Sequence, residues 1–241
     1  MLTLSVVIPC RDDAENLKQC LQALAKQTVD PIEVIVVDNG CRDESARIAE
    51  LYGAAVVFEQ ASGIWAAAAA GYDAAVGDIL VRCDADSRPP PDWLARIAAH
   101  FAADETLTGL TGPGVFYGLP RYQRALAGIL YMRLYFLAVG AALAHWPLFG
   151  SNMAIRRSCW CEIRRSVRRY DAQVHDDIDL SFILGPHRKI RYDSNLRVGI
   201  SPRALCGSRN LMRRFSRAFH TLSVHWKMEA PWHRWQDRLE H

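Results

Sequence analysis

Asp84 and Asp86 stand one residue apart at the end of the apolar run Ile79-Leu80-Val81-Arg82-Cys83, and two carboxylates at that spacing can share a divalent cation. In an extended stretch alternate side chains point the same way, so the two carboxylates converge while Ala85 points aside. A hard cation held by oxygen ligands can then bridge the protein and a phosphate group. A surface turn produces the same spacing, but the residues that follow favour a site. Ser87-Arg88-Pro89-Pro90-Pro91-Asp92-Trp93-Leu94 stiffens the chain and then starts a helix. That fixes the pair at the carboxyl end of a strand, the edge where open α/β sheets bind ligands. Two more acidic positions could join it: Asp38 in Asp38-Asn39-Gly40, and the cluster Asp176-Asp177-Ile178-Asp179. Taken singly, they read equally well as a turn cap and as the acidic first turn of a helix.

The elements that must position these groups alternate between short β-branched runs and helical patterns, as βαβ units around a mostly parallel sheet do. Strands are expected over Val6 to Pro9, Glu33 to Val37, Ala54 to Phe58, Asp78 to Cys83 and Leu107 to Thr111. Between them, Leu17, Cys20, Leu21 and Leu24 recur at helical spacing behind Asp12 and Asp13, either of which can cap the helix start. Asp43 opens a helix through Tyr52, Ile64 to Ala75 forms an alanine-rich one, and Trp93, Leu94, Ile97 and Phe101 mark another. Three acidic groups thus fall just past strand ends. Beyond Gly112-Pro113-Gly114 the texture changes. Ala125 to Phe149 is apolar but interrupted by Arg133 and Pro147, which favours a buried or interfacial helix over a membrane span. Gly150 to Ile155 reads as a turn into a strand, followed by an arginine-rich helix.

With 241 residues, half of them hydrophobic, the chain can bury one core without staples. Seven cysteines, an odd number without C-x-x-C spacing, argue against a disulfide framework or structural zinc. A reducing, cytoplasmic setting is expected, since the first strand begins at once without a basic leader. A net charge of +3 does not suggest a nucleic-acid partner.

Val7-Ile8-Pro9 with Asp12, Asp13 and Asn16, then Val36-Val37-Asp38-Asn39-Gly40-Cys41-Arg42-Asp43, then Asp84-Ala85-Asp86, then Asp176-Asp177-Ile178-Asp179-Leu180 follow one another in a familiar order. Together they resemble the family 2 glycosyltransferases of the GT-A fold, whose segments read V-I-P-x-Y-N-E, V-V-D-D-G-S-x-D, D-x-D and E-D-x-D-L. The match covers roughly residues 2 to 203. Arg11 and Asp13 replace the family's aromatic residue and glutamate. The resemblance implies a Rossmann-like GT-A α/β domain over 1–203, with a nucleotide-sugar and metal half (1–111) and an acceptor half (112–203), ahead of a basic amphipathic tail (204–241). It implies inverting transfer of a sugar from a nucleotide diphosphate donor to the hydroxyl of a sugar or lipid-linked acceptor. Pro9, Asp12, Asp13, Asp38 and Asp84 would contact the donor, with Asp38 reading the base. Asp84 and Asp86 would hold Mn²⁺ or Mg²⁺, and Asp177 would be the base that takes the acceptor's proton. Neighbouring acids would tune it by raising its pKa, with Asp176 and His175 orienting it or touching the metal. Gly150, Ser151, Asn152 and Asp176 would border the acceptor.

Two departures stand out. Gly63 to Gly71 matches the family's G-x-x-x-A-R-N-x-G but places Ala68 where the arginine stands. Its contact with the donor must then come from elsewhere, with Arg11, Arg82 and Arg88 as candidates. Pro231-Trp232-His233-Arg234-Trp235 lacks the glutamine of the Q-x-x-R-W found in processive synthases, so a single addition is expected. In the tail, Leu211, Met212, Phe215, Phe219, Leu222 and Trp226 recur at helical spacing among Arg213, Arg214, Arg217 and Lys227. Such a helix suits an anionic membrane surface or the core equally. Two alternatives stay open at this point: a sugar nucleotidyltransferase, and a non-catalytic module that binds nucleotide sugars or a membrane surface.

Overall fold

The computed structural model describes residues 2–240 apart from 121, 124, 125, 127, 206 and 207, without the side chains of 129, 204 and 208–211. Ala125 and the Leu211 side chain therefore lie outside the described residues. A seven-stranded sheet has the order β3-β2-β1-β4-β7-β5-β8. Its strands are β1 (Leu4–Cys10), β2 (Glu33–Asp38), β3 (Ala55–Phe58), β4 (Ile79–Arg82), β5 (Leu107–Thr111), β7 (Met153–Arg156) and β8 (Lys189–Tyr192). β6 (Gly114–Phe116) and β9 (Val198–Ile200) pair separately. The first four strands are mutually parallel, and β7 inserts antiparallel between β4 and β5. This is a Rossmann-like α/β domain with a largely parallel central sheet, as expected.

Helices α1 (Ala14–Leu24), α2 (Ser45–Leu51), α3 (Ile64–Ala74) and α4 (Trp93–Ala103) flank the sheet. β1, β2 and β4 are buried on both faces, which is why they read as unbroken apolar runs. The face with α1 and α4 buries Leu17, Leu21, Trp93 and Phe101, and the other buries Trp65, Tyr72 and Trp160. The alanines of α3 and its Gly71 have a packing reason: a Cβ on Gly71 would stand 2.3 Å from the Val7 side chain and 2.8 Å from that of Val37. Asp43, expected to open α2, accepts from Ser45 N–H and also from Ala14 N–H at the start of α1. The side chain of Asp13 does not cap α1 but accepts from Asn16 and Arg203.

The second half departs most from the sequence expectation. The apolar stretch after residue 125 is a π-helical turn (Gly128–Arg133) running into α5 (Leu134–Leu143). One side packs inward through Phe136, Val139 and Leu143, while Leu130, Leu134 and Leu137 are exposed. The arginine-rich helix α6 is short (Arg157–Ile163). α7 (Asp176–Leu184) carries the acidic cluster, and the tail forms α8 (Ser208–Trp226) and α9 (Pro231–Glu240). Neither tail helix is a detached appendage. Ala218, Leu222 and Trp226 pack against Ile178 and Phe182 of α7. On α9, the buried Arg234 guanidinium pairs with Glu229 and donates to Leu143 O and Phe182 O. Among the described residues, no helix is long and apolar enough to cross a membrane.

Candidate active site

β4 ends at Arg82, so Asp84 and Asp86 lie in a tight turn rather than in extended chain. Ser87 N–H donates to Asp84 O, and Asp84 N–H donates to Ser87 Oγ. Both carboxylates nonetheless line one cleft of about 380 Å³ at the carboxyl edge of β1 and β4, together with Pro9, Arg11 and Asp13. Asp84 Oδ2 accepts from Ser151 Oγ at 2.5 Å. Burial first, and then the Asp84 charge, push the Asp86 carboxyl up from its ordinary value, against the pull of Arg203. Arg203 comes from the 3₁₀ turn after β9 and bridges Asp13 at 2.5 Å and Asp86 at 2.8 Å.

A second, larger cavity of about 960 Å³ opens beside the first and is lined chiefly by apolar side chains of the π turn, α5 and α8, with Arg213, Arg214 and Arg217 among them. Gly150, Ser151, His175, Asp176 and Asp177 form its polar end. Ile64, Asp84, Tyr131, Phe149, Ser151 and Arg214 border both cavities. The two spaces therefore meet at Asp84 and Ser151.

The acids at the start of α7 are held by cations. Arg82, wholly buried, reaches Asp176 Oδ2 at 2.5 Å and Asp84 Oδ1 at 3.4 Å. His175 Nδ1 stands 2.5 Å from Asp177 Oδ1, and Gly150 N–H donates to Asp177 Oδ2. Burial alone would raise the Asp177 carboxyl, yet His175, the Gly150 amide and Arg82 hold it below the usual carboxylate range. That overturns the expectation that neighbouring acids raise it, because His175, at 2.5 Å, outweighs them. Burial opposes protonation of His175, but Asp177 and Asp176 raise its pKa.

His175, Asp176 and Asp177 each place one ligand atom within 4.8 Å of the others, a set capable of coordinating a divalent ion such as Mn²⁺ or Mg²⁺. His175 Nδ1, Asp176 Oδ2 and Asp177 Oδ1 are buried without a well-directed hydrogen bond despite their ionic contacts. Carboxylate oxygens with one imidazole suit either ion.

Three residues expected at the site line neither cavity. Asp12 accepts from Arg42 N–H, Asp38 accepts from Cys41 N–H, and Asn39 rather than Asp38 lines the smaller cleft. Asn152 is fully buried: it accepts from Trp93 Nε1 and donates to Leu196 O, so it braces the turn behind the site. Ala68 is buried in the core and lines neither cavity, and Ala67 is the alanine that borders the cleft. Of the arginines expected to compensate, Arg11 lines the smaller cleft, while Arg82 is buried beneath the larger one and Arg88 lies over Tyr117. Sequence reasoning missed Arg203 and Arg214, whose place depends on the return of distant chain.

Residues 5–162 match the family described as Glycosyl transferase family 2, and the chain belongs to that family. The glycosyltransferase AglE of Haloferax volcanii is 36% identical over 100 residues, 38% of this chain and 33% of that protein. An undecaprenyl-phosphate 4-deoxy-4-formamido-L-arabinose transferase of Pseudomonas fluorescens is 32% identical over 106 residues, 40% of this chain and 31% of its own length. The chain thus spans about a third of the length of these relatives. Among solved structures, S. aureus TarS (residues 1–349) superposes with a TM-score of 0.70 at 15% identity, covering 99% of this chain and 71% of that one. At that identity the likeness shows the fold alone.

Proposed function

We propose that the protein transfers a sugar from a nucleotide diphosphate donor to a lipid-linked acceptor, in single additions and with inversion. The observation that carries this reading is the meeting of a polar, acid-lined cleft with a long apolar groove at Asp84 and Ser151. A diphosphate suits the first, and a hydrocarbon chain the second. The name of the Pseudomonas relative, an undecaprenyl-phosphate transferase, supports an acceptor of this kind.

In this reading Pro9, Asp13 and Asn39 bound the donor, with Asp38 and Asp12 shaping the adjacent turns. Asp84 and Asp86 hold the divalent ion that accompanies the diphosphate. Such an ion, when bound, offsets the charge that develops as the sugar departs. Gly150, Ser151 and Asp176 border the acceptor. Asp177, held ionised by His175 beside it, receives the acceptor's proton, and His175 orients its carboxylate. Arg234 of the Pro231–Trp235 segment is engaged by backbone carbonyls of α5 and α7, which supports single addition.

The test is incubation of the protein with radiolabelled UDP- and GDP-sugars, Mn²⁺ and a polyprenyl phosphate in detergent. Label is expected in the lipid fraction, and Asp177→Asn should lower turnover roughly 10²- to 10⁴-fold. No labelled lipid from any donor would overturn the acceptor reading.

A further inference from the structure

Arg203 lies where a metal-bound diphosphate would be expected, and it holds the acids that would receive it. Its guanidinium contacts Asp13 through both terminal nitrogens, at 3.2 and 2.5 Å, and Asp86 Oδ2 at 2.8 Å. We infer that Arg203 is an exchangeable counter-charge: it neutralises Asp13 and Asp86 in the empty cleft, is displaced from Asp86 by the metal, and then binds the donor's diphosphate. The inference rests on the donor-site reading above and gives it a residue for anion recognition.

Three observations support it. First, a guanidinium hydrogen-bonded to Asp86 Oδ2 and a divalent ion on the same oxygen would repel one another at close range, so one must leave for the other to settle. Second, the Arg203 side chain is 56% exposed while its base is fixed: its N–H donates to Ser201 Oγ, and β9 just before it pairs with β6. The side chain can therefore swing about a rigid anchor. Third, few cations are placed to do the work. Arg11, Arg203 and Arg214 line the cleft, but Arg11 donates to Ser62 Oγ and Arg214 to Tyr131 Oη. Of these three, Arg203 is the one that contacts Asp86, whereas the buried Arg82 reaches the other expected ligand, Asp84, from behind at 3.4 Å. A planar fork of donors matches phosphate oxygens as well as it matches carboxylates, so little reorientation is needed to exchange partners.

The two roles make opposite demands, and Arg203→Gln separates them. With Mn²⁺ alone, followed by electron paramagnetic resonance, the variant should bind the ion several-fold more tightly than the wild type, because a competing cation has gone. With saturating Mn²⁺, titration calorimetry with UDP and GDP should show roughly ten- to a hundredfold weaker binding, the loss of a charged hydrogen bond. Arg203→Lys should recover part of the nucleotide affinity. Unchanged Mn²⁺ affinity, or nucleotide affinity that is unchanged or improved, would overturn the inference while leaving the donor site intact. If the wild type binds neither nucleotide with Mn²⁺, the donor-site reading falls and takes this inference with it. Arg203 is a surface side chain, and an unaltered thermal midpoint would verify that the variant is folded.

Discussion

His225 Nε2 on α8 lies 2.7 Å from Asp179 Oδ1 on α7, and both side chains are wholly buried. Asp179 Oδ2 also accepts from Trp65 Nε1 and from Arg168 N–H, so one carboxylate ties the tail helix to α3, α7 and the loop after α6. His175 N–H, beside the catalytic candidates, donates to Thr221 Oγ1 of the same helix. The tail is therefore built into the wall of the site. His225→Ala would leave Asp179 with Trp65 and Arg168 but without its contact to α8, and should destabilise the fold by about 1.5–3 kcal/mol, the loss of a buried hydrogen bond to a charged group, as read by urea unfolding. A change below about 1 kcal/mol would mean that α8 is docked by apolar contact alone.

Arg82 makes a second prediction. Burial opposes its charge, yet Asp176 and its neighbours raise its pKa well above the ordinary value, so it stays ionised between the two cavities. Arg82→Met would leave the buried Asp176 only the His175 imidazole at 3.5 Å, and should lower stability by about 3–5 kcal/mol as well as activity. Gly150→Ala is the gentler probe. Its Cβ would meet the Arg82 guanidinium at 3.1 Å, so that this group must shift by a few tenths of an ångström against Asp176. We expect a fall in kcat larger than any fall in nucleotide affinity, measured by steady-state kinetics beside calorimetry.

His145 should impose an acid limit on stability. Burial first, and then Arg234 and Arg238, lower its pKa from 6.5 to about 4. Its Nε2 faces Arg234 Nη2 at 3.3 Å, a contact that only the neutral ring can accept. A folded-state pKa below the unfolded value means that the unfolded chain takes up the proton first. The contribution is therefore complete above pH 6.5 and is lost as the pH falls towards 4, to a total of about 3 kcal/mol. Denaturant unfolding across that window should show the slope, and His145→Gln should flatten it.

The apolar groove yields a prediction about substrate. Leu134 of α5 and Phe219 of α8 are exposed side chains on its facing walls. Leu134→Asp or Phe219→Asp should raise the KM for a polyprenyl phosphate at least tenfold, since each buried methylene contributes about 0.8 kcal/mol. The KM for the donor should not move. Equal changes in both would place the groove on the donor's path instead.

The first half of the chain was legible because its signals are local. Runs such as Val34 to Val37 are bounded by turn residues, and the helix faces show in the spacing of Leu17, Leu21 and Leu24. β6 and β9, three residues each, carry too little pattern to detect. The antiparallel entry of β7 depends on pairing with β4 and β5, which no local run encodes. At the site, the acids were visible as residue types, but their partners were not. Arg203 reaches Asp13 across 190 residues of chain, and the proximity of His175 reverses the pKa shift that clustered acids suggest. Asn152 was read as a ligand contact, but its partners Trp93 and Leu196 are brought close only by the folded chain, whereas Asp38 accepts from Cys41 N–H in its own turn.

Thr111 ends β5 and pairs with Met153 at the start of β7. The chain that builds the groove's first wall thus departs and re-enters the sheet at adjacent positions. Such a closed excursion can be lengthened at small entropic cost, about 0.6 kcal/mol for each doubling, and without shifting β1, β2 or β4. On the proposed reading, acceptor choice can therefore drift, or be engineered by grafting this excursion from one scaffold to another, while the nucleotide side is inherited unchanged.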